Sequence, residues 1–269
     1  ALFYGGKGIN VSTVLKNLGV DSVALGFVAG FTGKAIEEGV AALGVKADFI
    51  TVSDGVSRIN VKLKAGEETE INGKGPNISD AELEELYKKL DGLTDGDCLV
   101  LAGAIPPSLP SDVYEKIMAR LAGKKVDIVV DATKDLLLNV LKYHPFLIKP
   151  NNFELGEMFG VTLHSDEEIE EYAKKLQALG ARNVAVSMAG DGSMLITENG
   201  ETYRMGVPKG KVVNSVGAGD SMVAGFIASY FAEHDYKKAL KYGAATGSAT
   251  AFSEGLATKD QVEKLLGQF

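Results

Sequence analysis

Short apolar runs alternate with amphipathic helical segments along most of this chain, and this alternation constrains the fold more than any other feature. Each apolar run is continuous, as a strand buried on both faces of a parallel sheet requires. The pattern predicts a three-layer α/β/α fold in which helices cover both faces of a mainly parallel sheet. The runs are SVALGFVA, CLVLAGAI, DIVVDA, PFLIKP and NVAVSM, which begin at residues 22, 98, 127, 145 and 183.

Three of the intervening helices are well delimited by their sequences. They are SDAELEELYKKLDGL from Ser79, SDVYEKIMARLAG from Ser111 and SDEEIEEYAKKLQALG from Ser165. Each opens with a Ser-Asp pair that favours a helix N-cap, and each closes at or near a glycine. We therefore expect three helices that begin at these serines.

The segment 49–73 departs from this alternation. Its pieces DFITV and RINVKLKAGEETEING show a hairpin-like pattern around Ala65 and Gly66. We expect a single domain over residues 1–269 that carries this segment as a small β lid above the carboxyl edge of the sheet. An edge hairpin and a dimer surface are the alternatives that the pattern leaves open.

Charge and composition exclude several classes of function. The net charge of −8 provides no general basic surface, so we expect neither nucleic-acid binding nor membrane binding. No apolar run approaches the roughly 20 residues that span a bilayer. The lone Cys98 lies in an apolar run and no signal peptide is recognisable, so we expect a cytoplasmic protein. Since the chain begins almost inside a glycine motif, we also expect that a natural N-terminal segment is absent from it.

The strongest functional signal is NSVGAGDSMVAGF, residues 214–226, in which a glycine-rich turn leads into an apolar helix. The amides of Gly217, Ala218 and Gly219 would point along the helix axis toward a bound phosphate, aided by the helix dipole. Asp220, taken alone, is best explained as a helix-start residue. Beside a phosphate-binding turn, however, its carboxylate can accept the proton of an attacking hydroxyl. The combination predicts a kinase centre.

A second glycine motif, GGKGIN at residues 5–10, precedes the helical run VSTVLKNLG. It matches neither a Walker loop nor a Rossmann fingerprint. Gly5 and Gly6 allow a polyol to lie against the backbone, while Lys7 and Asn10 can contact its hydroxyls or its phosphate. A glycine turn that starts a helix, with a solvated lysine, is the alternative.

A third group of polar residues lies in IKPNNFELG, where Lys149 and Asn151 follow an apolar strand and Glu154 lies on the next helical turn. Carboxylate and amide oxygens suit Mg²⁺, and we expect Glu154 to act through a water molecule. Without other motifs nearby, Asn151 and Glu154 are better explained as residues that start a helix.

A fourth segment, VSMAGDGSMLI at residues 186–196, places Ser187, Gly190 and Gly192 at the end of a strand. The base or ribose of a nucleotide could approach the backbone there. A plain β-turn explains these residues equally well, so this segment is supported only by the neighbouring motifs.

Two further features point to the acceptor of the reaction. Arg58 opens the strand RINVKLK of the predicted lid, and its guanidinium can bind a phosphate through two hydrogen bonds. A solvated surface arginine is the alternative. The turn GAIPP, residues 103–107, ends a buried strand and should line the same edge of the sheet.

The motifs GGKGIN, KPNNFE and VGAGDSMVAGF, in this order and at these intervals, resemble those of the ribokinase-like (PfkB) carbohydrate kinase family over nearly the whole chain. The resemblance implies a small β-sheet lid on the α/β/α fold and an ATP-dependent kinase that uses Mg²⁺. It also implies roles for individual residues: Asp220 as proton acceptor; Gly217, Ala218 and Gly219 as anion hole; Gly5, Gly6, Lys7, Asn10 and Arg58 at the sugar phosphate; Lys149, Asn151, Ser187, Gly190, Gly192, Gly217 and Gly219 at ATP; and Glu154 near Mg²⁺.

Within this family, SRINVKLKAGEETEINGKGP and NSVGAGDSMVAGF resemble the 1-phosphofructokinase group. That group phosphorylates fructose 1-phosphate at O6 and yields fructose 1,6-bisphosphate and ADP. Tagatose-6-phosphate kinase is the nearest alternative. A non-catalytic sugar-phosphate sensor with the same fold is an alternative from another class, although the intact Asp220 argues against it.

The chain departs from the family pattern at a few positions. Ala104 and Ala189 stand where many relatives carry serine and glycine, and an aspartate that usually precedes the double glycine is not in the sequence. By analogy alone, a monovalent cation such as K⁺ is a candidate ligand of the carbonyls around Asn214 and Val216. The apolar face of the lid is a candidate surface for a homodimer.

Overall fold

The computed structural model describes residues 3–65, 67–132 and 134–269. Helices and strands alternate through this part of the chain, as the apolar runs predict. The helices are α1 (Lys7–Asn17), α2 (Gly30–Ala42), α3 (Asp80–Asp91), α4 (Val113–Leu121), α5 (Lys134–Val140), α6 (Asn152–Phe159), α7 (Asp166–Ala178), α8 (Ala218–Glu233), α9 (Tyr236–Ala251) and α10 (Lys259–Leu266).

The strands form one large sheet and several small ones. They are β1 (Val23–Ala24), β2 (Phe27–Ala29), β3 (Lys46–Ala47), β4 (Ile50–Val52), β5 (Asn60–Ala65), β6 (Glu67–Asn72), β7 (Cys98–Ala102), β8 (Asp127–Asp131), β9 (Leu147–Ile148), β10 (Asn183–Ser187), β11 (Ser193–Ile196) and β12 (Thr202–Met205). In the described residues the large sheet has six strands in the order β12-β11-β10-β9-β8-β7.

The large sheet is parallel from β7 to β10, and β11 and β12 join it in antiparallel orientation. Strands β7 and β8 pair in register from Cys98 opposite Asp127 at one end to Ala102 opposite Asp131 at the other. A short turn connects β10 to β11, which permits only an antiparallel pair. The expected mainly parallel central sheet is therefore confirmed, with an antiparallel pair at one edge.

Successive residues of the central strands face opposite sides of the sheet. In β8, Ile128 and Val130 belong to one buried apolar cluster, whereas Val129 belongs to the other. The first cluster contains residues of α3 to α7, and the second contains residues of α1, α8, α9 and α10. The expected three layers, with helices on both faces, are confirmed by these two cores.

Two of the three expected helix starts have the expected cap. Ser79 and Ser165 each accept a hydrogen bond from the backbone N–H three residues later. The expectation for Ser111 is wrong, because α4 begins at Val113 and Asp112 stands at its N-cap. Asp112 has φ −93° and ψ 12°, which is not the extended conformation of a capping residue, and the described structure gives its side chain no capping bond.

The first predicted strand, SVALGFVA, is split into β1 and β2, which lie in different two-stranded sheets. A glycine at position 26 separates them, and glycine weakens a strand because it has no side chain to pack. The segment DFITV was predicted in the lid hairpin, but β4 pairs in parallel with β2. Helix α2 connects these two strands, so this part of the prediction is corrected to a βαβ unit.

The hairpin predicted for the lid consists of β5 and β6, with Val61 opposite Ile71. Its turn residue Gly66 lies outside the described residues. Among the described strands, β5 and β6 pair only with each other. The two strands of the hairpin therefore cover residues 60–65 and 67–72, and closure of the hairpin over the site stays a prediction.

Helices α8 and α9 pack closely because small residues lie between them. A Cβ at Gly225 of α8 would lie 2.3 Å from Oγ1 of Thr246 and 3.0 Å from the carbonyl oxygen of Tyr242. Gly225 thus sets the distance between two core helices.

Helix α8 is largely buried and apolar. None of the helices in the described ranges combines the length and apolar character that crossing a bilayer requires.

We expect Gly225→Ala to lower the free energy of unfolding by about 1–3 kcal/mol, the usual cost of overpacking a core. Gly8→Ala is the matched control, because a Cβ there meets no atom within 4 Å and Gly8 also lies inside a helix. Alanine's higher helix propensity should leave that variant at least as stable as the wild type. Urea denaturation followed by circular dichroism measures both, and equal stability of the two variants would contradict this packing.

Candidate active site

Polar residues from separate parts of the sequence meet at the carboxyl edge of the parallel strands. Asp131 ends β8, Lys149 follows β9 and Ser187 ends β10. Lys7, at the start of α1, contacts Asp131 there. Open α/β sheets bind their ligands at this edge, so these residues surround the candidate site.

Two glycines at the start of α8 lie close to neighbouring side chains. Gly217 stands at the N-cap with φ 80°, and a Cβ there would lie 2.8 Å from Cδ2 of Leu256. At Gly219 a Cβ would lie 3.1 Å from Nζ of Lys149. The missing side chains therefore let an ammonium group approach the first turn of the helix.

The amides of this turn differ in what they bind. The N–H of Ala218 donates to the carbonyl oxygen of Ser215 at 3.2 Å, and the N–H of Ser221 donates to that of Gly217. In the described part of the chain, the N–H groups of Gly217, Gly219 and Asp220 have no acceptor. Three free donors thus lie at the positive end of α8, where anions bind. The role predicted for Ala218 requires its turn to open and stays a prediction.

Asp220 lies in the first turn of α8 but does not cap it. Its side chain is buried, with 6% of the residue exposed, and Oδ2 accepts a hydrogen bond of 2.8 Å from Nδ2 of Asn10. The helix has no side-chain cap. Capping, the simplest explanation from the sequence, therefore does not account for Asp220, which instead joins α8 to α1.

Burial raises the pKa of Asp220 above its ordinary value, and the negative charge of Asp131 raises it further. The hydrogen bond from Asn10 and the charges of Lys7 and Lys149 act in the opposite direction. The net result is a carboxyl group with increased affinity for a proton. Such a group is suited to accept a proton from a hydroxyl.

A cluster of three charged side chains adjoins Asp220. Oδ1 of Asp131 lies 3.2 Å from Nζ of Lys7 and 3.5 Å from Nζ of Lys149. Asp131 and Lys149 are buried, with 4% and 8% of their surfaces exposed. Oδ2 of Asp131 is also buried and has no hydrogen-bond partner in the described structure. Two ammonium groups are thus held together at the edge of the sheet.

Asp131 was not among the residues that we predicted for the site. The available signal was its position, because the last residue of the apolar run DIVVD lies at the edge where parallel strands end. A single aspartate after a strand has no motif around it, which is why the pattern was missed.

The residues predicted for the sugar phosphate are only partly brought together. Gly6 stands at the N-cap of α1 with φ 142°, and the following turn directs Lys7 to Asp131 and Asn10 to Asp220. Gly5 and Gly6 are exposed. A Cβ on Gly103 would lie 4.0 Å from Cβ of Lys7, so the GAIPP turn is next to this motif.

Arg58 has no ion pair or hydrogen bond with the charged cluster in the described residues. It is exposed and precedes β5, which begins at Asn60, so it does not open the strand as predicted. Within the described residues its guanidinium has neither an ion pair nor a hydrogen bond. The structure therefore leaves this group free, and its contact with a phosphate stays a prediction.

Three residues predicted for the nucleotide, Lys149, Asn151 and Ser187, follow or end neighbouring strands of the sheet. Asn151 and Glu154 form a capping box, in which Oδ1 of Asn151 accepts from the N–H of Glu154 and Oε2 of Glu154 accepts from the N–H of Asn151. This geometry agrees with the explanation that the sequence favoured for Asn151 and Glu154 without other motifs nearby, namely that they start a helix. Asn151 also pairs with Ser187 across neighbouring strands, which places both residues at one edge.

The two glycines after β10 have different environments. Gly192 has φ 97°, and a Cβ there would lie 2.1 Å from the carbonyl oxygen of Met205. Its close approach to β12 is sufficient to explain it. Gly190 has no atom within 4 Å of a Cβ position, so the space beside it is open. Contacts of either glycine with ATP stay predictions.

The carboxylate of Glu154 fits a magnesium ion that is held mainly through water. Oε2 is used in the capping box, while Oε1 has no hydrogen bond in the part of the chain that the structure describes. No cluster of three or more His, Cys, Asp or Glu residues suited to a metal occurs in the described ranges. Mg²⁺ in kinases needs only one or two carboxylates, because substrate phosphates and water complete its coordination.

Comparison with known proteins places this geometry among sugar kinases. The family model for pfkB family carbohydrate kinases matches residues 1–263. The 1-phosphofructokinase of Bacillus subtilis (strain 168) is 51% identical over 262 residues, which make up 97% of this chain and 86% of that protein. The D-tagatose-1-phosphate kinase of Bacillus licheniformis is 38% identical over 264 residues, 98% of this chain and 86% of that protein.

The fold is also present in solved structures. A protein from Staphylococcus aureus, provisionally described as a phosphofructokinase, has a TM-score of 0.90 and 46% sequence identity to this chain. The match covers 98% of this chain and 86% of the other one. The ribokinase-like fold expected from the sequence motifs is confirmed.

The raised pKa of Asp220 makes a prediction about stability. The folded protein binds a proton at Asp220 more tightly than the unfolded chain does, so stability is lost as pH rises from 3.8, the ordinary aspartate value, through the folded pKa. We expect Asp220→Asn to be more stable than the wild type at neutral pH. The difference should shrink as pH falls through the folded pKa toward 3.8.

Thermal unfolding at a series of pH values measures this difference. Asp191→Asn is the control, because Asp191 is exposed and its side chain has no partner in the described residues. A stability gain in Asp220→Asn that did not vary with pH would contradict the proposed cost of ionising Asp220.

Proposed function

Because the chain belongs to the pfkB family of carbohydrate kinases, we propose that it transfers the γ-phosphoryl group of ATP to O6 of fructose 1-phosphate. The products are fructose 1,6-bisphosphate and ADP. The observation that carries this proposal is the buried carboxylate of Asp220, which Asn10 holds beside the free amides of α8. The sugar is proposed because the Bacillus subtilis relative is a 1-phosphofructokinase.

The proposed chemistry begins with the acceptor hydroxyl beside Asp220. The carboxylate accepts the hydroxyl proton as the oxygen attacks the γ-phosphorus, and the bond from that phosphorus to the β,γ-bridging oxygen of ATP breaks. The N–H groups of Gly217 and Gly219, with that of Ala218 once it leaves the Ser215 carbonyl, form the proposed anion hole, and the N–H of Asp220 adds to it. The ammonium groups of Lys7 and Lys149 add positive charge at the same edge.

The proposed donor site lies on the side of Lys149, Asn151 and Ser187, with Gly190 and Gly192 near the base or ribose of ATP. Mg²⁺, when bound, neutralises phosphate charge, and Glu154 would hold it through water with its free oxygen. A monovalent cation such as K⁺ is proposed near the carbonyls of Asn214 and Val216, where the N–H of Val216 already donates to Oδ1 of Asn214.

The lid is proposed to pair with the lid of a second copy. Val61 and Ile71 are cross-strand partners, so they lie on one face of the hairpin, and both are exposed. Ile59, which precedes β5, is exposed as well. Exposed apolar surface of this kind is typical of a protein–protein interface, where a partner removes it from water.

We also propose that the enzyme acts in the cytoplasm, in keeping with a single, unpaired cysteine.

A ketohexose phosphate of different configuration is the main alternative substrate. Our sequence-based alternative was tagatose 6-phosphate, whereas the Bacillus licheniformis relative is a D-tagatose-1-phosphate kinase. Tagatose 1-phosphate differs from fructose 1-phosphate in the configuration of one hydroxyl, and tagatose 6-phosphate differs in that configuration and also in the position of the phosphate. An enzyme distinguishes such sugars by its hydrogen bonds to their hydroxyls and phosphate. The specificity constants of the purified enzyme measure this discrimination.

The proposal predicts that kcat/KM is highest for fructose 1-phosphate in a panel with tagatose 1-phosphate, tagatose 6-phosphate, ribose and adenosine. A coupled assay of ADP formation measures all five acceptors. A higher value for either tagatose phosphate would move the substrate assignment to that sugar. Binding of fructose 1-phosphate without turnover of any acceptor would favour the non-catalytic sensor.

The free guanidinium of Arg58 makes a second prediction. We expect Arg58→Ala to raise the KM for fructose 1-phosphate by about 10- to 100-fold, because a charge-assisted contact to phosphate contributes about 1.5–3 kcal/mol. The Kd of fructose itself should change much less. Steady-state kinetics and calorimetry measure these quantities. Arg120→Ala is the control, since Arg120 lies on α4 and pairs with Asp91 of α3. Equal losses for both sugars would contradict recognition of the phosphate by Arg58.

A further inference from the structure

The carboxylate of Asp131 has an unusual environment, and the proposed reaction has so far given it no role. It is almost fully buried, one of its oxygens faces two ammonium groups, and the other oxygen has no partner in the described structure. Burying a charged oxygen without a hydrogen bond is costly, and such groups call for a functional explanation. Stability alone does not provide one here.

The two lysines come from the two predicted halves of the site. Lys7 belongs to the glycine motif at the start of α1, which also carries Asn10, the partner of Asp220. Lys149 directly precedes the segment that forms the capping box of α6, and its Nζ approaches Gly219. Asp131 therefore lies where the acceptor side and the donor side of the site meet.

We propose that Asp131 is a positioning residue that holds the ammonium groups of Lys7 and Lys149 on either side of the phosphoryl group in transfer. This inference rests on the proposed kinase function. In the free enzyme the carboxylate compensates two positive charges that would otherwise repel each other. When phosphates bind, the lysines contact them while Asp131 continues to limit where the ammonium groups can lie.

Asp131 is distinguished from a proton acceptor by its surroundings. Its Oδ1 is contacted by two ammonium groups, whereas Asp220 is paired with the neutral amide of Asn10. Asp220 is therefore the group that takes the proton. Asp131 acts on the reaction through the lysines and through its own charge.

The charge of Asp131 also affects Asp220, which gives a readout that a purely structural role would not change. The groups that face Asp220 are Asn10 and Lys7 from α1, Asp131 from β8, and Lys149 after β9. Asp131 raises the pKa of Asp220, and both lysines lower it. Neutralising Asp131 should move the acidic limb of the pH–rate profile to lower pH.

The test is Asp131→Asn in the full chain, which retains the shape of the side chain and removes its charge. We expect kcat to fall by about 100-fold, as small misplacements of catalytic groups cost, and more than KM rises. The acidic limb of kcat should move to lower pH. Asp131→Glu should recover part of the rate, since it restores the negative charge.

Asp127→Asn is the matched control. Asp127 begins the same strand and pairs with Arg182 at 2.7 Å, at the opposite end of β8 from Asp131. This variant should keep the wild-type rate and pH profile. A folded Asp131→Asn enzyme with unchanged kcat would overturn the proposal. An equal loss in both variants with an unmoved acidic limb would also overturn it, because the role would then be structural.

Two additions keep the test informative. If Asp131→Asn does not fold, the double variant Asp131→Asn with Lys149→Met also removes the buried ammonium group that has lost its carboxylate partner. Folding of the double variant would show that the unpaired charge of Lys149 caused the failure. Crystal structures of ligand-free wild type and Asp131→Asn test the geometry without any activity. We expect the Nζ atoms of Lys7 and Lys149 to separate in the variant, and unmoved atoms would contradict the inference. Absence of sugar kinase activity in the wild type would instead contradict the proposed function.

Discussion

Charged groups with little access to water lie together at the carboxyl edge of the sheet, and much of the structure is arranged around them. Asp131, Lys149 and Asp220 are buried, and Lys7 is half-buried. The two carboxylates and two ammonium groups balance in charge, which reduces the cost of removing them from water. The two lysines nevertheless depend on Asp131 in particular, because it is the carboxylate that both ammonium groups contact.

Elements from distant parts of the chain are needed to build this cluster. Helix α1 provides Lys7 and Asn10, strand β8 ends at Asp131, and α8 begins at the turn that carries Asp220. The bond between Asn10 and Asp220 joins residues 210 positions apart. Parallel strands with helices on both faces place these starts and ends at one edge, so the fold itself assembles the site.

The fold was largely predictable because strong local signals agreed with one another. Continuous apolar runs and Ser-Asp caps predicted the layers, while the glycine before Asp220 predicted the turn of α8. Weaker signals failed where tertiary contacts decided the outcome. The pattern around Ser111 resembled a cap, but the turn from Pro110 brings the N–H of Val113 to the Pro110 carbonyl and starts the helix later.

The site was predictable where a motif surrounds the residue, and only there. Asp220 and Lys7 lie in glycine motifs, whereas no such motif surrounds Asp131, and its partners are distant in sequence. The engagement of the Ala218 amide by Ser215 also depends on three-dimensional geometry. The spacing of the glycines in the sequence does not indicate which backbone N–H groups of the turn have no hydrogen-bond acceptor.

The most direct test of the central role of Asp220 is the rate of a single turnover in Asp220→Asn, with enzyme in excess over ATP and fructose 1-phosphate. Calorimetry on the same protein measures whether both ligands still bind. Loss of a general base predicts a rate about 100- to 10,000-fold below that of the wild type with affinities nearly unchanged. A wild-type rate in this variant would show that Asp220 does not accept the proton.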